Sequence, residues 1–361
     1  MDPVYKSKME SYVAEQLPKL QTVNNKDLES MFENFSPDQI VENTNLTSDE
    51  VVDSFRLSLI TESLTEQYSE TYKIGAEMFS AHWLKDYVIG FWEPDEKGHA
   101  DPFKNILLDF GVDQNLISDQ INEAKSTTDY KLHHEAGFSP IALTTYGMIQ
   151  ECITDYWYEL QRDFFPKTSN THKVISKVKG REALHTVQFR DLTALQLEAD
   201  PSLLPEIINS TIHFSMPSNY IPVVKDIEAK TQEWIPKMNG DVSELLKRVI
   251  MHINGSLSDN SQLGKLLTEY ASTSEKRFLA LVPNHIISKA LSHVKGGYGL
   301  VGEIILEQLG LKASEISMPK TFNESLQFKL KSIVKRWATQ QLDIEGLLHS
   351  NNLLTSESNE D

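Results

Sequence analysis

One spacing, used twice, restricts what this chain can fold into. Glu62 precedes Glu96 and His99 by about the length of a helix, a turn and part of a returning helix, and Glu151 precedes Glu182 and His185 by a similar interval. Residues i and i+3 share one face of a helix, so each Glu-x-x-His aims a carboxylate and an imidazole at one point. Two such pairs plus two single glutamates supply four carboxylates and two imidazoles. That is a recurring recipe for a two-iron or two-manganese site between the helices of a four-helix bundle. A lone Glu-x-x-His arises easily by chance in a chain with 11 His. The repeated interval carries the argument.

The rest of the chain is compatible with such a bundle. Apolar residues recur at helical rather than alternating spacing, and hairpin turn signals are scarce, so the class is all-α. At 361 residues with 40% apolar content, the chain can bury a substantial core. A net charge of -18 without a long basic tract excludes a general nucleic-acid surface. No apolar run approaches the roughly 20 residues that span a bilayer. With a single cysteine, Cys152, and no signal-like N-terminus, a cytoplasmic location is expected.

Helix signals divide the chain into residues 1–47, a helical arm; 48–217, the metal-binding bundle; 218–350, a helical region packed on it; and 351–361, a disordered acidic tail. Ser48 is a candidate N-cap for a helix running through Phe55, Ile60 and Glu62 to Tyr68. A second helix starts near Ala81 and reaches Glu96 and His99 past Pro94, where a kink or restart is expected. Ser139-Pro140 opens a third helix that carries Glu151 and ends near Phe165. A fourth spans about Thr171 to Leu197 with Glu182 and His185. Gly147 and Thr154, one turn either side of Glu151, leave room for a small-molecule pocket or for close approach of a neighbouring helix.

Other residues read more plainly. Cys152 points about 100° away from its neighbour Glu151 around the helix and reads as a core thiol. Tyr156, Trp157 and Tyr158 read as packing before they read as an electron relay. His133-His134-Glu135 reads as surface histidines in a loop, and Gly296-Gly297-Tyr298-Gly299 as a turn or helix cap, since the phosphate-loop spacing is absent. Lys329, Lys331, Lys335 and Arg336, or Lys247 and Arg248, are either a docking patch for an acidic partner or a solvated helix face.

These segments together resemble the soluble, ferritin-like acyl-[acyl carrier protein] desaturases. Leu59-Ile60-Thr61-Glu62 is similar to that family's Ile-Thr-Glu segment, and Trp92 through His99 to its Trp…Glu-Glu-x-x-His element. Glu151-Cys152-Ile153-Thr154 resembles Glu-x-x-Thr, Glu182-Ala183-Leu184-His185 with the later Asp200-Pro201 resembles the second Glu-x-x-His helix, and Ser215-Met216-Pro217 resembles a Met-Pro turn after the bundle.

The resemblance implies a ferritin-like four-helix core with flanking helices and two iron ions held by Glu62, Glu96, His99, Glu151, Glu182 and His185. It implies O2 as co-substrate, Thr154 handling oxygen or a proton, and a double bond introduced into a fatty acyl chain on an acyl carrier protein or other acyl thioester. An external electron donor such as ferredoxin and a homodimer are implied in the same way. The chain departs from the family at Arg181, where an acidic residue precedes the second Glu-x-x-His, at Gly98 and Leu184, where arginine is usual, and at Pro94. The alternatives are a hydroxylating or N-oxygenating di-iron enzyme on the same bundle, and a non-catalytic helical homologue.

Overall fold

The computed structural model describes residues 3–21, 32–33, 35–128, 137–200, 203, 206–207, 210–211, 214–228 and 230–256. His133-His134-Glu135, the glycine cluster and the Lys329–Arg336 patch lie outside them. The described elements are helices, with no strand among the described residues, and no described helix is long and apolar enough to cross a membrane.

Nine helices matter for the site: α1 (Pro3–Gln16), α2 (Ser48–Glu62), α3 (Thr65–Met78), α4 (His82–Tyr87), α5 (Ala100–Asp109), α6 (Gln114–Thr127), α7 (Pro140–Arg162), α8 (Asn170–Ala199) and α9 (Val242–Ser256). Their starts follow local chemistry. Ser139 accepts from the Ala142 N–H ahead of Pro140, and Ser169 accepts from the His172 N–H, so the N-terminal amides of α7 and α8 find side-chain partners. Helix α2 is capped by Thr47, one residue before the sequence expectation, in a reciprocal pair with Glu50.

Helix α2 also stops earlier than its apolar spacing suggests. Ser63 Oγ donates to the Leu59 carbonyl at 2.7 Å and Thr65 Oγ1 to the Glu62 carbonyl at 2.9 Å, so side chains compete for the backbone acceptors at the break. Tyr68 therefore belongs to α3, and Glu62 is the last residue of α2.

The expected disturbance at Pro94 takes a definite form. The five residues Val88–Trp92 form a π-helical segment, followed by the helical turn Glu93–Glu96 and a tight turn to α5. The proline has no N–H to give to the preceding turn, and the widened segment absorbs that loss.

Helices α7 and α8 form the longest packed pair, with α9 laid across both. From Ile141 to Ile153 every α7 side-chain position is buried, the signature of a helix enclosed on all sides. Helix α2 packs on α5, while α1 lies against α8 and α4. Phe55 meets Phe103, Phe110, Phe164 and Phe165, and a second aromatic group joins Tyr72, Tyr87, Phe91, Trp92 and Phe189. The Glu and His residues of interest lie among these rings.

Candidate metal centre

The structure brings Glu62, Glu96, His99, Glu151, Glu182 and His185 into one buried cluster, none more than 7% exposed. It divides into two overlapping sets of ligand atoms. Glu62, Glu96, His99 and Glu182 form one, and Glu96, Glu151, Glu182 and His185 the other, each set lying within 4.8 Å. Glu96 and Glu182 are common to both. Glu62 with His99, and Glu151 with His185, belong to one set each.

The two Glu-x-x-His segments reach this geometry differently. Glu182 and His185 sit inside the continuous α8, whereas Glu96 and His99 are joined by a tight turn in which the His99 N–H bonds the Glu96 carbonyl at 2.9 Å. An i to i+3 bond of that kind stacks the two side chains in line. Each imidazole then lies nearest the carboxylate of the opposite motif. His99 Nδ1 is 2.6 Å from Glu182 Oε1, and His185 Nδ1 is 2.6 Å from Glu96 Oε1. The rings are nearly parallel with centroids 5.8 Å apart.

These close approaches are not hydrogen bonds. Glu96 Oε1, both Glu182 oxygens, both His99 ring nitrogens and His185 Nδ1 have no hydrogen-bond partner of acceptable direction, although all are buried. Such orphaned groups are costly in an apolar interior. Lone pairs of carboxylate oxygens and imidazole nitrogens turned towards one another are what a shared cation satisfies. By donor set and direction, these residues fit two metal ions.

Electrostatics agree with that fit. Burial, then the charges of Glu96 and Glu151, push the Glu62 carboxyl well above its usual range. Burial, then Glu96, Glu151 and Glu62, do the same to Glu182. Burial alone would raise Glu96 as well, but His99 and His185 outweigh it and hold Glu96 low. Burial opposes the charge on His185, yet Glu96 and Asp95 raise it well above the ordinary histidine value. Without a cation, protons must screen this cluster of carboxylates.

Several residues around the ligands were not singled out by spacing. Tyr158 donates its phenolic proton to Glu62 Oε1, and Trp92 Nε1 donates to Glu151 Oε1 at 3.1 Å. Asp95, fully buried, accepts from His185 Nε2 at 2.8 Å and from the Arg181 guanidinium at 2.7 and 3.0 Å. Arg181, which departs from the family pattern, therefore pairs with the acid that precedes the first Glu-x-x-His. That acid, visible beside Glu96, was the available sequence signal.

Thr154 is partly buried, and its hydroxyl donates to the Gln150 carbonyl at 3.0 Å; it is outside the ligand sets. Beside Gly147 the space is taken: a Cβ there would lie 2.7 Å from the Tyr72 hydroxyl oxygen and 2.9 Å from the Phe189 ring. Glycine serves close approach at that point. Cys152 is buried, and burial pushes its thiol up to about 12, as suits an inert core thiol. Tyr156 bonds the backbone of Asp241 and Trp157 bonds Ser58. Arg248 pairs with Glu159, so its charge is already neutralised locally.

No protein-family model matches this chain, and no curated protein matches it.

Proposed function

We propose that the chain is an O2-dependent oxidoreductase with two iron ions in a ferritin-like bundle, and that it desaturates a fatty acyl chain carried on an acyl carrier protein. The observation that supports this reading is the sharing of Glu96 and Glu182 between two His-containing ligand sets. Two carboxylates spanning both sets, with one imidazole for each, would hold a closely spaced pair of ions of the kind carried by carboxylate-rich helical bundles. Iron bound by such oxygen and nitrogen ligands supplies activation of O2 and removal of hydrogen from an unactivated chain.

The protein's own part is to hold and shield. Trp92 and Tyr158 fix the outer carboxylates Glu151 and Glu62 by hydrogen bonds. The rings of Phe91, Trp92, Phe103 and Phe189 are fully or almost fully buried near the ligands and keep water out. An external donor such as ferredoxin would supply electrons, and Thr154 would handle a proton; both are carried over from the resemblance.

A second reading, hydroxylation or N-oxygenation of a smaller substrate on the same centre, is favoured by one feature. Tyr72 and Phe189 fill the space beside Gly147, one turn from Glu151, which leaves no room for a long acyl chain at that point. The test is to load the purified chain with iron, add an acylated carrier protein, ferredoxin with its reductase and O2, and analyse the acyl group by mass spectrometry. Loss of two hydrogens supports desaturation. Gain of one oxygen supports the second reading, and an iron-free protein under reducing, iron-replete conditions sinks both.

A further inference from the structure

The second coordination sphere of the cluster is lopsided. His185 Nε2 faces Asp95 Oδ2 at 2.8 Å, so its N–H has a carboxylate acceptor and its Nδ1 is left bare toward Glu96, Glu151 and Glu182. Asp95 is held in turn by both nitrogens of the Arg181 fork and by the Gln21 N–H at 3.1 Å, while Arg181 also bonds the Lys19 carbonyl at 3.0 Å. His99 is equally buried, yet its Nε2 has no hydrogen-bond partner among the described residues. The residue that precedes the second Glu-x-x-His, Arg181, is a donor only and reaches across to Asp95. One imidazole has its tautomer and orientation fixed by an anion, and the other has neither fixed.

A carboxylate behind a ligand histidine raises the basicity of the imidazole and orients it, and removing such a partner commonly weakens metal binding roughly 10- to 100-fold. We propose that the two metal positions are unequal: the one at Glu151 and His185 fills first and holds its ion about tenfold or more tighter than the one at Glu62 and His99. Asp95 and Arg181 are the positioning residues of the tighter position. The inference rests on the two-metal reading above.

The test is an anaerobic titration of the full chain with Mn2+, followed by electron paramagnetic resonance. Bound single ions and magnetically coupled pairs give different spectra. The wild type should fill in two steps, with an isolated-ion spectrum over the first equivalent and a coupled spectrum only over the second. His99→Ala should keep the tight step and lose the weak one, and His185→Ala the reverse. Asp95→Asn should weaken the tight step roughly 10- to 100-fold and leave the weak step nearly unchanged.

Since Asp95→Asn alone leaves Arg181 buried without its counter-ion, the double variant Asp95→Asn/Arg181→Gln is measured beside it. Coupled pairs from the first addition in the wild type, or equal weakening of both steps in the double variant, would overturn the inequality while leaving two metal positions in place. No Mn2+ bound at all would overturn the two-metal reading with it.

Discussion

Tyr158 donates its hydroxyl proton to Glu62, so a carboxylate of the buried cluster, at the very end of its helix, is anchored by a side chain 96 residues further along the chain. The tyrosine ring is fully buried against Phe103, with centroids 4.7 Å apart. Tyr158→Phe keeps that packing and removes only the hydroxyl. Glu62 then loses its fixed donor, at a cost of about 1–3 kcal/mol for leaving a buried carboxyl oxygen unsatisfied. Denaturant unfolding of the metal-free protein should show a loss in that range. Metal affinity should fall at the Glu62–His99 position, and a variant as stable as the wild type would show the hydroxyl to be immaterial.

Glu96 and Glu182 belong to both ligand sets, and Glu62 to one. Glu182→Ala should therefore cost both ions, whereas Glu62→Ala should cost about one of about two. Metal analysis after desalting distinguishes these outcomes directly. Equal losses in the two variants would mean that the carboxylates are not shared.

Gly147 admits the Tyr72 hydroxyl and the Phe189 ring to distances that a Cβ would not tolerate. Both neighbours are buried, and Tyr72 and Phe189 stack on each other with centroids 5.6 Å apart, so neither can give way alone. Gly147→Ala should destabilise by about 1–3 kcal/mol through overpacking, despite the better helix propensity of alanine. Unchanged thermal stability would place free space beside Gly147 and restore the small-molecule pocket as the reading of that glycine.

Much of this was legible because it is local. Ser139-Pro140 announces the start of α7 within four residues, and the six candidate ligands betray themselves by two i, i+3 pairs, each preceded by a single glutamate at a matching interval. The pairing of Arg181 with Asp95 spans 86 residues and obeys no period, so Arg181 looked like a defect while its partner drew no notice. Tyr158 is hidden in a run of three aromatic residues, of which only this one bonds a carboxylate of the cluster. The stop of α2 at Glu62 depends on hydroxyls capturing carbonyls, which apolar spacing does not register.

Glu50 ties the start of α2 to the short helix Thr231–Lys237. Its carboxylate accepts from the Thr47 N–H and the Lys237 ammonium, each at 2.8 Å, and from Trp234 Nε1 at 3.3 Å. Burial works against ionisation, but the Lys237 and Thr47 hydrogen bonds prevail and hold the carboxyl down at about 2, below its ordinary 4.5. A depressed folded-state pKa means that the unfolded chain takes up the proton first as pH falls. The stabilisation is therefore fully present above pH 4.5 and drains away as pH drops through about 2. Glu50→Gln should cost about 1 kcal/mol at neutral pH, the range for a helix cap joined to a partly exposed ion pair. The gap between variant and wild type in urea unfolding should close as the pH is lowered from about 5 towards 2. A gap that stays constant across that window would assign the effect to lost packing rather than to charge.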